Sequence, residues 1–126
     1  MQTRPSRGDL PRAPVPPPDL MTVPDRARAA DLAPLLAPRT IAVIGASPRA
    51  SNMGHQILSN LLDFGFAGTV YPVNPRAHAI RAVRAYPTIA DVPEPVDTAV
   101  VVVPREQALE VAEQCGEAGV KGLIVI

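Results

Sequence analysis

Short apolar runs alternate with segments of helical periodicity over most of the chain beyond residue 31. The β-branched runs have no polar alternation, which is typical of strands covered on both faces of a parallel sheet. Pro87 interrupts the weakest run, so this strand is expected at a sheet edge. The strands predicted in this way are 41–44, 69–73, 98–103 and 123–126, with the edge strand at 85–89.

Two longer segments have the periodicity of amphipathic helices. The first covers residues 52–64 and ends at Gly65, a typical C-terminal cap. The second starts at Pro104 and continues to about residue 118, where Gly119 ends it. The residues expected on their apolar faces are Met53, Ile57, Leu61 and Phe64 in the first helix, and Leu109, Ala112 and Cys115 in the second.

A shorter helical segment, 31–37, precedes the first strand. Asp31 is the expected N-cap, and Pro34 is tolerated in the first turn. Its leucines, Leu32, Leu35 and Leu36, form an apolar face that could pack on the following domain.

Strands that alternate with helices predict an α/β fold with a Rossmann-like, doubly wound and mainly parallel sheet. Ligands of such sheets bind beyond the carboxyl ends of the strands, where the strand order reverses. The loops 45–52, 73–78 and 103–106 should therefore line one crevice. Because the chain stops in a core strand, we expect a domain truncated on its C-terminal side. Its uncovered last strand predicts marginal solubility.

The N-terminal segment has a different composition. Nine of the sixteen prolines precede Thr40, and hydrophobic periodicity is weak there. Such a segment cannot bury enough apolar surface to offset the entropy of ordering it. Residues 1–30 are therefore expected to be a disordered tail rich in Pro and Arg, and residues 31–126 to be the incomplete Rossmann-like domain.

The overall charge adds limits on partners and location. Twelve basic and twelve acidic residues balance, so nucleic acid is not a favoured partner. No apolar run approaches the roughly 20 residues of a membrane helix, and no membrane association is expected. Cys115 is the sole cysteine, which fits a cytoplasmic protein.

The first loop begins with Gly45, Ala46, Ser47 and Pro48 directly after a buried strand. A dinucleotide fingerprint needs a second glycine two residues after the first, and this loop has Ser47 instead. Gly45 allows a tight turn, and the following helix offers free amides and a positive dipole end. Gly54 would let that helix pack closely on the strand. The loop is a candidate phosphate site, with an ordinary strand-to-helix turn as the alternative.

The second loop, Val73-Asn74-Pro75-Arg76, lies where NAD enzymes place an acid that binds the ribose hydroxyls. Asn74 is neutral, and Arg76 is a suitable phosphate partner. This pair favours an adenosine that carries an extra ribose phosphate, as in NADP or coenzyme A; a plain turn is the alternative. In the third loop, Val103 and Pro104 form an apolar lip that could contact a pantetheine arm.

No catalytic or metal site can be assembled from the remaining residues. His55 and His78 are expected to be exposed or capping residues. Cys115 is expected to be a small buried hydrophobe without metal-ligand spacing.

The chain from about residue 32 to residue 126 resembles the CoA-binding domain of NDP-forming acyl-CoA synthetases, and more distantly the α subunit of succinyl-CoA ligase. The resemblance is carried by the ordered set LLAPRTIAVIGASP, FGFAGTVYPVNPR, AYPTIADVPEPVDTAVVVVP and CGEAGVKGLIVI. One departure is Ile80-Arg81-Ala82, where the family has a pattern like Ile-x-Gly.

The resemblance implies that coenzyme A is the ligand. Gly45, Ala46, Ser47 and Pro48 would then lie at its phosphates; Val73, Asn74, Pro75 and Arg76 near the adenosine; and Val103 and Pro104 near the pantetheine. The family reaction forms acyl-CoA through an acyl phosphate and a phosphohistidine. Further phosphohistidine and ATP-grasp domains or subunits, absent from this chain, would complete it. The alternatives are a regulatory CoA- or nucleotide-binding module, such as one fused to an acetyltransferase, and an NADP-dependent oxidoreductase domain.

Overall fold

Four parallel strands form one sheet, in the order Thr69–Val73, Thr40–Ile44, Thr98–Val101 and Gly122–Val125. A computed structural model describes residues 32–126; the predicted tail and the predicted N-cap at Asp31 lie outside the described residues. The elements are α1 (Ala33–Leu36), β1 (Thr40–Ile44), α2 (Met53–Asp63), β2 (Thr69–Val73), β3 (Ala79–Ile80), β4 (Val83–Arg84), a 3₁₀ helix (Ile89–Asp91), β5 (Thr98–Val101), α3 (Arg105–Glu117) and β6 (Gly122–Val125). The predicted α/β fold is confirmed.

The strand order reverses at β1. The chain leaves β1 for β2 on one side, and then returns to form β5 on the other side. Ile44, at the carboxyl end of β1, is in register with Val73 of β2 and with Val101 of β5. The carboxyl ends of these three strands therefore lie level, and the predicted loops leave the sheet side by side.

Alternate residues of the central strands supply two cores, one on each face of the sheet. Ile41 and Val43 of β1 belong to the same buried cluster as Leu58 of α2. Ala42 and Ile44 belong to a second cluster with Cys115 of α3. Since both faces of these strands are covered, their sequences contain no polar alternation.

The predicted apolar faces of the two long helices were partly wrong. Phe64 is 85 % exposed and Met53 is also exposed, whereas Gly54 and Leu58 are the buried residues of α2. Phe64 is the residue after the last helical turn, so its direction does not follow the helical period. In α3, Leu109 is 72 % exposed, while Cys115 is fully buried.

The predicted edge strand at 85–89 was also wrong. Instead, β3 and β4 form a short antiparallel hairpin, and Tyr86 alone pairs with β2. The Tyr86 amide donates to the Pro72 carbonyl, and the Tyr86 carbonyl accepts from the Asn74 amide, each at a distance of 2.9 Å. Pairing stops there because the next amide that could bond to β2, that of Thr88, donates to the Asp91 carboxylate at 3.1 Å.

The hairpin turn has the residues that depart from the family pattern. Arg81 and Ala82 have φ angles of 53° and 64°, in the left-handed region that favours glycine. The Arg81 guanidinium contacts the Asp63 carboxylate of α2 at 2.9 Å and donates to the Ser59 carbonyl. These contacts attach the turn to α2.

β6 is the last strand of the sheet among the described residues, and its side chains are partly uncovered. Leu123, Ile124, Val125 and the following Ile126 are all exposed. Within residues 32–126, the helices are too short and too polar to cross a membrane.

Candidate nucleotide-binding site

A cleft of about 580 Å³ opens at the carboxyl ends of β1, β2 and β5. All three predicted loops contribute to it, through Gly45, Ser47, Val73, Asn74, Pro75, Arg76, Val103 and Pro104. Two predicted residues do not line the cleft. Ala46 is fully buried behind it, and Pro48 is exposed outside it.

The floor of the cleft is the turn at Gly45, which is closely packed by backbone. Gly45 has a φ of +96°, and a Cβ atom there would lie 1.9 Å from the Val102 carbonyl oxygen. The Gly45 amide donates to the Val73 carbonyl at 3.0 Å, and the Val102 amide donates to the Ile44 carbonyl at 2.8 Å. The turn is thus fixed to both neighbouring strands.

The start of α2 packs closely against this turn. A Cβ atom at Gly54 would lie 2.5 Å from the Gly45 carbonyl oxygen and 2.9 Å from the Ala46 Cα. Gly54 therefore serves the close approach that the sequence predicts, although the contact is with the loop and not with a strand. As a result, the N-terminal end of α2 faces the loop with its positive dipole end.

His55 has a positioning contact that sequence reasoning missed. Asn52 caps α2 by accepting from the His55 amide at 2.9 Å. The His55 Nδ1 lies 2.7 Å from the Ser47 carbonyl oxygen. A carbonyl only accepts, so the proton is on Nδ1. The signal in the sequence is the spacing of three residues between Asn52 and His55, which places His55 in the first helical turn beside the loop.

The Ser47 hydroxyl lies on the cleft wall. Its oxygen accepts from the Arg49 amide at 3.1 Å, which orders the next residues of the loop. A hydroxyl that accepts one bond still has its own hydrogen to donate. Ser47 can therefore donate to an anionic ligand.

Asn74 connects the first and second loops. Its side-chain amide donates to the Ala46 carbonyl at 2.7 Å, and its side-chain oxygen accepts from the Arg76 amide at 2.7 Å. The second contact is the local turn predicted for Asn-Pro sequences. One amide hydrogen of Asn74 remains for a ligand, and Arg76 is held at the rim of the cleft.

The far wall of the cleft belongs to α3, which the sequence analysis did not assign to the site. Gln107, Glu110 and Gln114 lie on one helical face and line the cleft together. Thr88 and Ile89 extend this wall from the 3₁₀ helix. In the sequence, the polar residues at helical spacing after Val103-Pro104 could have indicated that this helix lines the cleft.

The charges of the cleft nearly cancel. Among its lining residues, Arg76 is the cation and Glu110 is the carboxylate. They belong to different walls, because Arg76 follows β2 and Glu110 is on α3. The cleft can therefore orient a ligand, with the anionic groups of the ligand near Arg76 and away from Glu110.

Neither Cys115 nor His78 lines this cleft. Burial raises the pKa of the Cys115 thiol, which lies in the core and not on the cleft. His78 is exposed. Within residues 32–126, no three His, Cys, Asp or Glu side chains are placed to hold a metal ion. The arrangement is suited to binding a ligand.

The parallel sheet, the reversal of strand order at β1 and the glycine turn at the cleft define a Rossmann-like domain with a nucleotide-type crevice. The chain belongs to the family of CoA-binding domains, whose sequence profile matches residues 39–126. It is homologous to a part of NDP-forming acyl-CoA synthetases, as the sequence resemblance predicted.

Two relatives and one solved structure illustrate this membership. The chain is 42% identical over 96 residues to an ADP-forming acetate–CoA ligase II of Archaeoglobus fulgidus, covering 76% of this chain and 14% of that protein. It is 42% identical over 89 residues to the α subunit of ADP-forming acetate–CoA ligase II of Pyrococcus furiosus, covering 71% and 19%.

The structural relative is a dinucleotide-forming acetyl-coenzyme A synthetase 1 of Ca. Korarchaeum cryptofilum, solved with phosphate and ADP. It superimposes with a TM-score of 0.74 and 49% identity, covering 75% of this chain and 20% of that chain. The chain thus spans less than a fifth of the two ligase sequences.

Proposed function

We propose that this domain binds coenzyme A in the cleft and presents it for acyl transfer, as the CoA-binding part of an NDP-forming acyl-CoA synthetase. The observation that carries the proposal is the pairing of Asn74 and Arg76 at the end of β2, level with the Gly45 turn. An acid in that place would repel a ribose phosphate, whereas a guanidinium attracts it.

The diphosphate of CoA is assigned to the first loop. Gly45 permits the tight turn, with a φ of +96°, that carries the loop from β1 into the start of α2 beside the cleft. The Ser47 hydroxyl and the N-terminal end of α2 supply donors and a positive dipole end. Ala46 contributes through its backbone, and Pro48 borders the exposed side of the loop.

The adenosine is assigned to the second loop. Val73 and Pro75 supply apolar contacts, and Asn74 keeps one side-chain amide hydrogen for the ligand. Arg76, which lines the cleft, would bind the ribose phosphate through a charge-assisted hydrogen bond.

The pantetheine arm is assigned to the space between the third loop and α3. Val103 and Pro104 offer apolar surface, whereas Gln107 and Gln114 offer side-chain amides. Pantetheine alternates methylene groups with two amides, so a wall with both kinds of surface fits it. Glu110 on this wall would repel phosphates, which favours this direction of the ligand.

The complete reaction would need groups that residues 32–126 do not provide. We propose that phosphohistidine and ATP-grasp domains or subunits supply them, so that a carboxylic acid, CoA and NTP are converted to acyl-CoA, NDP and phosphate. The similarity to a separate ligase α subunit supports assembly with partner subunits. The proposal places the protein in the cytoplasm, with CoA and the nucleotides.

Titration calorimetry of the 126-residue chain with CoA, dephospho-CoA and NADP tests this function. We expect CoA to bind more tightly than dephospho-CoA. The Arg76→Gln variant should lose about ten- to hundredfold in affinity for CoA, because a charge-assisted hydrogen bond contributes about 1.5–3 kcal/mol, and little for dephospho-CoA.

Arg39→Gln is the matched control for this titration, since exposed Arg39 precedes the opposite, amino-terminal end of β1 and its removal also deletes one charge. Tighter binding of NADP than of CoA would support an oxidoreductase domain and contradict the proposal. Equal affinity of the wild-type chain for CoA and dephospho-CoA would remove the role assigned to Arg76.

A further inference from the structure

A second cavity, of about 470 Å³, lies beside the main cleft. Its lining is Pro75, Arg76, Ala77, His78, Arg84, Ala85, Tyr86 and Pro87. Pro75, Arg76 and Pro87 also line the main cleft, so the two spaces adjoin at these residues. This basic cavity, as we call it, contains two arginines and a histidine, and no carboxylate is among its lining residues.

Arg84 is held at this cavity by packing. Its guanidinium carbon lies 5.4 Å from the centroid of the Tyr86 ring, within the range of a cation–π contact. The Tyr86 ring in turn packs edge-on against Tyr71, with centroids 5.7 Å apart. Since Tyr86 is also bonded to β2 through its backbone, Arg84 has an ordered support.

The charges of the basic cavity are not neutralised by the described part of the chain. Within residues 32–126, the ion pairs join Arg81 to Asp63 and Lys121 to Asp97, and none of these four residues lines the basic cavity. No carboxylate of residues 32–126 lies within ion-pair distance of Arg76 or Arg84. Two arginines that line one cavity without a paired carboxylate are suited to binding an anion, and their planar donors match a phosphate.

We propose that the basic cavity binds a phosphate monoester, namely the ribose phosphate of bound CoA, and that Arg84 determines specificity together with Arg76. This inference rests on the proposed function and extends it to a residue that lies outside the main cleft. The ribose would lie at the boundary formed by Pro75 and Pro87. Its phosphate would then enter between Arg76 and Arg84, with His78 at the rim.

The test is the affinity of the Arg84→Gln chain for CoA and for dephospho-CoA. We expect about tenfold weaker binding of CoA, the low end of a charge-assisted contact, and unchanged binding of dephospho-CoA. The binding of adenosine 3′,5′-bisphosphate should be weakened as much as that of CoA, since both ligands have the same ribose phosphate. Arg84→Lys should recover part of the loss, because it restores the positive charge without the planar donor pair.

Arg81→Gln is the control, because it removes the same charge from the same hairpin, but from a residue paired with Asp63. It should leave both affinities unchanged. An Arg84→Gln variant that binds CoA as the wild type does, or that weakens both ligands equally, would overturn the inference while CoA binding stands. If the wild-type chain binds neither ligand, the proposed function itself fails.

Discussion

The Gly45→Ala variant is expected to lose on the order of 4 kcal/mol of folding free energy and to lose measurable CoA binding. Its methyl group would lie 1.9 Å from the Val102 carbonyl oxygen, and the φ of +96° is unfavourable for any residue with a Cβ. Neither strain can be relieved locally, since the amide of Gly45 and that of Val102 are both bonded across strands. Urea unfolding followed by circular dichroism, with calorimetry, measures both losses.

Gly65→Ala is the matched control for this variant. Gly65 also has a positive φ, of +76°, but no atom lies within 4 Å of a Cβ built there. This change should cost about 1–2 kcal/mol, the ordinary penalty of a left-handed residue, and should leave CoA affinity unchanged. Equal destabilisation by the two variants would contradict the importance of the contact with Val102.

The Gly54→Ala variant is expected to weaken both stability and CoA binding. Its methyl group would lie 2.5 Å from the Gly45 carbonyl oxygen, so the start of α2 must move away from the first loop. We expect a loss of about 2–3 kcal/mol in stability, as for other overpacked sites, and a comparable loss of affinity. The measurements are again urea unfolding and calorimetry.

Gly116→Ala is the control for this substitution. Gly116 lies in α3, with no atom within 4 Å of a Cβ built there. Alanine at an exposed helical position should stabilise the chain by about 0.5–1 kcal/mol. A Gly54→Ala chain that gained stability in the same way would show that α2 does not need its close approach to the loop.

The sheet and the position of the cleft could be predicted because they depend on local patterns. Uninterrupted apolar runs such as Ile41–Ile44 mark strands covered on both sides, and Gly45 marks the turn after such a strand. Once parallel strands are assumed, the ends of β1, β2 and β5 must lie together. The contacts of Asn74 with the first loop follow from that arrangement.

The helix faces were harder to predict because apolar residues also occur on exposed surfaces. Phe64 and Leu109 fit a helical period in the sequence, yet in the structure Phe64 follows the last turn of α2 and both residues lie outside the core. Which helical residues contact the sheet depends on two things. One is the close approach of α2 to the first loop at Gly54, and the other is the position of α3 on the sheet. Neither is visible in hydrophobicity alone.

The edge of the sheet and the basic cavity depend on tertiary contacts between short segments. Tyr86 pairs with β2 through one residue, too short a match to give a periodic signal. Arg84 reaches the site because the β3–β4 hairpin folds back beside Arg76. In the sequence, Arg84 is one of several arginines between residues 76 and 84, so composition could not distinguish it from Arg81.

The central claim is that CoA lies across the ends of β1, β2 and β5. Chemical-shift mapping of backbone amides in the ¹⁵N-labelled 126-residue chain, during titration with CoA, tests this claim most directly. We predict that the largest shifts occur at Gly45–Ser47, Asn52, Asn74 and Arg76, with smaller shifts along the Gln107–Gln114 face of α3. Shifts confined to β6 or to the exposed side of α2, with these loops unchanged, would contradict the account.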